Sequence, residues 1–263
     1  MRILLTNDDG IFSPGLLALV QVLRHDHRVT VAAPDRERSA VSHGLTIREP
    51  LFVRPHSLEG LKGYSISGTP ADCVKLGIDQ LTPGGAPDLV ISGINNGPNT
   101  GINVFYSGTV AAAMEATFSD VPGIAVSIDS FTPTDYGTAA DVAKQLVDRW
   151  EHVPLNPHLV LNVNVPARPR EMIQGLRITR QSRIRFKDHY IRRESPGGHS
   201  YFWLDGDHPE PVPGLDLDYG ALAQNWVSVT PLTADFNAAD GIYPEIDRWL
   251  RLENPRTESC LPH

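Results

Sequence analysis

Residues 1–34, MRILLTNDDGIFSPGLLALVQVLRHDHRVTVAAP, decide the fold. Arg2 to Thr6 is a short Ile and Leu run stopped by Asn7-Asp8-Asp9-Gly10, which predicts a buried strand ending at a turn. Ser13-Pro14 then supplies an N-cap and a proline at the first helical position, and Leu16, Leu19, Val20 and Leu23 follow at helical spacing. Arg28 to Ala33 is a second apolar strand, closed by Pro34. Strand, helix and strand in that order make a βαβ unit, with parallel strands and a right-handed crossover.

Working outward, the alternation repeats. Leu45 to Val53 and Tyr64 to Ser67 read as extended segments, and Thr69-Pro70 restarts a helix running to about Gln80. Asp88 to Ser92 is a strand that opens into GINNGPNTG. Ser107-Gly108-Thr109 begins an Ala-rich helix over Val110 to Phe118, and Gly123 to Asp129 is the next strand. Ala139, Val142, Ala143, Leu146, Val147 and Trp150 mark one face of a long helix, before a last strand over Leu159 to Val165. Residues 1–165 are therefore expected to form an α/β core: a doubly wound, mostly parallel, Rossmann-like sheet. Residues 166–263 change texture. Arg177 to Thr179 with Tyr201 to Leu204 suggest a hairpin, Trp226 to Thr230 a strand and Tyr243 to Leu250 a closing helix, with His208 to Gly214 as a loop. These pieces form an accessory region that extends the sheet, swaps between subunits, or both.

Composition narrows the function classes. The chain has 263 residues with 41% apolar and 21% charged, as in ordinary globular proteins. Its formal charge of −8 opposes binding to duplex nucleic acid. No apolar run is long enough to cross a bilayer, and Asp8 interrupts the N-terminal run too early for a signal peptide. Cys73 and Cys260 have no metal-ligand spacing, so a reducing, cytoplasmic setting is expected. One basic stretch, Arg177 to Arg193, carries seven Lys and Arg. The alternation Arg183-Ile184-Arg185-Phe186 fits a half-exposed strand, and the charge suits the approach of an anionic substrate.

In open α/β sheets ligands bind beyond the carboxyl ends of the strands, and the polar residues concentrate there. Asp8 and Asp9, Ser39 and Ser42, and Asn95, Asn96 and Asn99 are oxygen donors from three loops. Such a set favours Mg²⁺, Mn²⁺ or Ca²⁺ over Zn²⁺. Adjacent carboxylates at a buried strand end need a cation or many hydrogen bonds, although Asn-Asp-Asp-Gly by itself is also a plain Asx turn. Ser107-Gly108-Thr109 opens a helix, where free N–H groups and the dipole suit a phosphate, although capping alone explains the same residues. A carboxylate-held cation beside an anion-binding helix end describes phosphomonoester hydrolysis by a metal-activated water, with Asp9 or a neighbouring group taking the proton. A nicotinamide dehydrogenase would need Gly-x-Gly-x-x-Gly where the two aspartates stand. A metal-dependent sugar-nucleotide transferase and a non-catalytic nucleotide-binding module are the alternatives. His43, near Ser39 and Ser42, is a further candidate for substrate contact.

Five motifs in register extend the argument: Thr6-Asn7-Asp8-Asp9-Gly10; Ala33-Pro34-Asp35-Arg36 with Arg38-Ser39; Gly68-Thr69-Pro70-Ala71-Asp72-Cys73-Val74; Ser92-Gly93-Ile94-Asn95 with Gly97-Pro98-Asn99; and Tyr106-Ser107-Gly108-Thr109-Val110. Together they resemble the SurE family of stationary-phase survival nucleotidases, as do the later Leu161 to Pro166, Tyr201 to Leu204 and Val227 to Leu232. The resemblance implies a SurE-like fold and a divalent-metal-dependent phosphatase for nucleoside 5′- and 3′-monophosphates, with activity on short-chain polyphosphate in some members. It implies one divalent cation, Mg²⁺ or Mn²⁺, on Asp8, Asp9, Ser39 and Asn95, with Asp8, Asp9 and Asn95 as the catalytic set. Asn99, Ser107, Gly108 and Thr109 fall on the phosphate side, and Asn96, where the family usually has a small or varied residue, is a further candidate for the substrate. It also implies a cytoplasmic homodimer or homotetramer with an exchanged C-terminal segment.

Overall fold

The structure, a computed structural model, describes residues 1–152, 156–184, 187–207, 214–237 and 240–253. Its first unit, Met1–Thr233, is built on a nine-stranded sheet. Strand β1 (Arg2–Thr6) is followed by helix α1 (Pro14–Leu23) and β2 (Arg28–Pro34). Ser13 caps α1, its Oγ accepting the Leu16 N–H at 3.4 Å. Next come β3 (Val53–Leu58), β4 (Leu61–Ile66), α2 (Pro70–Leu76) and β5 (Leu89–Asn96). Helix α3 (Gly108–Thr117), β6 (Gly123–Asp129), α4 (Gly137–His152) and β7 (Val160–Pro166) complete the alternation.

Spatial order explains the architecture. The strands run β4-β2-β1-β5-β6-β7, each parallel to its neighbour. Side chains alternate between two apolar layers, as a strand's two-residue period requires. Ile3, Leu5, Val31, Leu89 and Ile91 pack with Leu16, Leu19 and Val20 of α1 and with Ala139, Val142 and Ala143 of α4. Leu4, Ala32 and Val90 pack on the opposite face with Cys73 and Val74 of α2 and Ala112 and Ala116 of α3. The sheet is doubly wound, as its sequence predicts. From β1 the chain winds one way through β2 and β4, and from β5 the other way through β6 and β7. The switch point lies between β1 and β5, where a crevice opens at the carboxyl ends.

The borders and the later segments differ from the sequence expectations in instructive ways. The extended segment expected over Leu45 to Val53 becomes a strand only at Val53, because Glu59 and Gly60, both at positive φ, close a two-residue hairpin turn between β3 and β4. Beyond β7 the chain extends the same sheet: β8 (Gly175–Ile178) pairs parallel with β11 (Trp226–Leu232), which pairs antiparallel with β7. Arg177 thus lies opposite Ser228, not in a hairpin with Tyr201 to Leu204. That hairpin forms instead between β9 (Lys187–Glu194) and β10 (Ser200–Asp207). The Ser195 N–H donates to the His199 carbonyl at 2.9 Å, making a short closure that a partner twenty residues upstream cannot match. Arg183 and Ile184 are not in a strand. Arg185, Phe186 and all but Gly214 of the His208 to Gly214 loop lie outside the described residues. Helix α5 (Asp218–Ala223) precedes β11. The second unit begins at Ala234 and contains a helix, α6, over Tyr243–Glu253. Among the described residues no helix is long and apolar enough to cross a membrane.

Candidate active site

The loop after β1 is fixed from within. Buried Asn7 donates through Nδ2 to the Gly10 carbonyl at 3.0 Å and to Ser13 Oγ at 2.6 Å, and its Oδ1 accepts the Gly10 N–H at 3.2 Å. This lock holds Asp8 and Asp9 at the switch point. Asp8 is 4% exposed, and its Oδ1 accepts the Thr109 hydroxyl at 2.6 Å, so the first loop is tied to the amino end of α3. Its carbonyl accepts the Arg38 N–H at 2.7 Å, which brings in the loop after β2. That loop is tied in turn to the segment before α3: the Ser42 N–H donates to the Tyr106 carbonyl at 3.1 Å and Ser42 Oγ to the Phe105 carbonyl at 2.7 Å.

Strand β5 delivers the third set of donors. Its pairing with β6 shifts register between Ser92 and Asn95, a bulge of the kind that re-aims side chains beside a site. Asn95 Nδ2 donates to the Gly97 carbonyl at 2.7 Å, leaving acceptor capacity on its amide oxygen. Asn96 Oδ1 accepts the Tyr136 hydroxyl at 2.7 Å. Asn99 is buried in a polar network: its N–H donates to Asn164 Oδ1 at 2.7 Å, its Nδ2 to Ser127 Oγ at 2.9 Å, and its carbonyl accepts from Asn162 Nδ2 at 2.8 Å. This network under the loop pins Gly97 to Thr100 on the carboxyl ends of β6 and β7.

Around these residues lies a cleft of about 470 Å³, within the range of small-molecule sites. Asp8, Asp9, Ser39, Asn95, Asn96, Asn99 and Ser107 all line it. Gly108 and Thr109 stand immediately behind Asp8. The Thr109 hydroxyl is spent on that carboxylate, and its backbone N–H also favours the charged form of Asp8. Ser107 Oγ accepts the Val110 N–H at 3.1 Å and keeps its own hydrogen to donate.

The electrostatics call for a positive charge. Burial raises the Asp8 carboxyl above its ordinary value against the hydrogen bond from Thr109. Burial, the Asp8 charge and the Glu37 charge push Asp9 up to about 7, against a hydrogen bond from the Asn96 backbone. Asp9 Oδ2 is buried with no hydrogen-bond partner. Among the described residues lining the cleft there is no Lys, Arg or His. Two adjacent carboxylates, a neutral hydroxyl and an amide oxygen therefore fit a hard divalent cation. Among the described residues no three His, Cys, Asp or Glu side chains converge in metal-ligand fashion, so such a set would rest on Ser39 and Asn95 for its neutral oxygens.

Glu37 and Phe131, which sequence reasoning missed, also line the cleft, as do Asn103 and the Tyr106 that opens the Tyr106-Ser107-Gly108-Thr109-Val110 motif. Glu37 accepts the Ser39 hydroxyl at 2.7 Å and was visible only as one charge in a polar loop. The polar layer of Ser127, Asn162 and Asn164 had a signal, asparagines at alternate positions of an otherwise apolar strand. His43 turns elsewhere. Its Nε2 pairs with the buried Glu115 carboxylate at 2.8 Å and its ring stacks on Phe118, with Lys75 on the other Glu115 oxygen at 2.9 Å. Burial raises the Glu115 carboxyl, but these two partners outweigh it and hold the group low. Thr69 and Asp72 form a reciprocal cap on α2, so that motif serves helix initiation.

Gly108 gives the first test. A Cβ there would lie 2.9 Å from Asp8 Cβ and 3.0 Å from Asp8 Oδ2. Gly108→Ala is expected to displace the carboxylate and lower turnover roughly 10²-fold, for about 1–3 kcal/mol of stability. Activity measurements beside a thermal melt would read both, and unchanged turnover would remove Gly108 from the site.

Comparison with known proteins adds lineage to geometry. The family model described as Survival protein SurE matches residues 3–188. A protein of Thermosynechococcus vestitus named 5′-nucleotidase SurE is 43% identical over 263 residues, spanning 97% of this chain and 98% of that relative. One of Synechococcus elongatus with the same name is 45% identical over 247 residues, spanning 89% and 94%. The crystal structure of SurE protein from Aquifex aeolicus superposes with a TM-score of 0.82 at 37% identity, covering 97% of this chain and 100% of that one.

Proposed function

The chain belongs to the SurE family, and from that premise we propose that its switch-point cleft is the active site of a divalent-metal-dependent 5′-nucleotidase. Nucleoside 5′- and 3′-monophosphates are the substrates, with short-chain polyphosphate as a further one. The observation that carries this reading is the buried Asp8–Asp9 pair, with Asp9 Oδ2 unpartnered and no cationic side chain among the described lining residues, set against the amino end of α3.

Asp8, Asp9, Ser39 and Asn95 would hold one Mg²⁺ or Mn²⁺, which when bound neutralises phosphate charge and lowers the pKa of water. The rest of the work belongs to the protein. Thr109 fixes Asp8 through a 2.6 Å hydrogen bond. The Ser107 hydroxyl and the Gly108 N–H would serve a phosphate, since the Thr109 and Val110 N–H groups are taken by Asp8 and by Ser107 Oγ. Asn96 and Asn99 offer amides along the same wall. Asp9, or a group beside it, would take the proton of an attacking water. The exposed Tyr190, Phe202, Trp203 and Leu204 of the β9–β10 hairpin support assembly as a dimer or tetramer, read by light scattering, with the C-terminal segment exchanged. A cytoplasmic location completes the reading.

Phosphate release from 5′- and 3′-nucleotides and tripolyphosphate, each with Mg²⁺ or Mn²⁺, tests it. The expected result is hydrolysis of the nucleoside 5′-monophosphates. Release from none of the nucleotides would contradict the proposal.

A further inference from the structure

Two aromatic side chains at the cleft have no part in the chemistry above. Tyr106 and Phe131 both line it, each 59% exposed, and neither belongs to the apolar core. They are carried by loops on opposite flanks of the carboxylate pair. Tyr106 is bound to the β2 side, where its carbonyl accepts the Ser42 N–H, whereas Phe131 follows the end of β6. In the sheet β2 lies outside β1 and β6 lies outside β5, so the two loops bracket the switch point. The Phe131 ring has a seat made for it: a Cβ on Gly97 would come within 2.5 Å of its Cε1. Removing a side chain at position 97 is what lets an aromatic face lie beside Asn95 to Asn99.

A nucleoside monophosphate presents chemically distinct ends. The cation that the carboxylates would hold and the polar groups at the start of α3 suit its phosphate, but none of them stacks on the flat face of a base. Aromatic rings do, by stacking on the π-face that every base has. We infer that Tyr106 and Phe131 form the nucleobase-stacking surface of this cleft, an inference that rests on the nucleotidase reading. Because stacking does not read the hydrogen-bonding edge, the surface accepts purines and pyrimidines alike and holds the larger purine more tightly.

The experiment compares adenosine 5′-monophosphate with ribose 5-phosphate, which keeps the phosphate and sugar and lacks the base. Steady-state kinetics are measured for the full chain with Mn²⁺ and for Tyr106→Ala, Phe131→Ala and Tyr106→Phe. Each alanine variant is expected to lose about tenfold in kcat/KM on the nucleotide, mainly through KM, while ribose 5-phosphate changes less than about twofold and Tyr106→Phe behaves as wild type. Equal losses on both substrates, or no loss on the nucleotide, would overturn the inference. Calorimetric binding of the same two ligands separates it from its premise. If wild type hydrolyses neither compound, the nucleotidase reading fails. The stacking surface still stands or falls by whether Tyr106→Ala erases the binding preference for the nucleotide.

Discussion

Asp8→Asn is expected to lower nucleotide turnover by about 10³-fold or more, the several kcal/mol that a correctly held divalent cation contributes to phosphoryl transfer. The substitution is nearly isosteric. An asparagine Oδ1 still accepts the Thr109 hydroxyl that now lies 2.6 Å from Asp8, and the Arg38 N–H bond to the residue 8 carbonyl is untouched. What changes is one negative charge of the two that would face the cation. Burial already works against that charge, raising the Asp8 carboxyl, so the metal-free variant is expected to melt no lower than wild type. Paired kinetics and melting curves test this. Turnover within tenfold of wild type in a folded variant would exclude Asp8 from the site.

Stripping divalent cations is expected to reduce turnover to background and to leave a pH signature in stability. In the metal-free fold Asp9 titrates near 7, raised by burial and by the Asp8 and Glu37 charges, against an ordinary value of 3.8. Between those values the folded chain binds more protons than the unfolded one, so stability rises as pH falls from about 7 toward about 4 and is lowest above 7. After solvent screening the effect is about 1 kcal/mol. Cation at a hundred times its Kd adds about 2.7 kcal/mol, most of it at high pH where both carboxylates are ionised, so the pH trend flattens or reverses. Calorimetric melts at pH 5.5 and 8, with EDTA or with Mn²⁺, read this directly. Full turnover in EDTA, or the same pH slope with and without Mn²⁺, would contradict the account.

Much of the core was legible because its signals are local. A strand that ends at Asn7-Asp8-Asp9-Gly10, a Ser-Pro helix start and an apolar second strand determine one βαβ unit, and its repetition determines a doubly wound sheet. The topology rule then brings Asp8, Asp9, Ser39 and Asn95 to one cleft, although they come from two loops and the end of β5. What escaped depends on contacts between distant segments. The use of the Thr109 hydroxyl on Asp8 joins residues 101 positions apart, and the turn of His43 toward Glu115 joins residues 72 apart. Glu37 and Tyr106 reach the cleft because backbone bonds such as Arg38 to Asp8 and Ser42 to Tyr106 fix their loops, and Phe131 because Gly97 leaves room for its ring. The β9–β10 pairing was misread for a related reason: strand propensity marks a segment as extended, but the partner is chosen by the shortest closure.

The most direct measurement is an anomalous difference map from crystals of the full chain soaked in Mn²⁺. A single strong peak enclosed by the oxygens of Asp8, Asp9, Ser39 and Asn95 is the predicted result. An empty cleft in crystals whose dissolved protein still hydrolyses nucleotides would contradict the claim that these four side chains hold the ion on which the reaction depends.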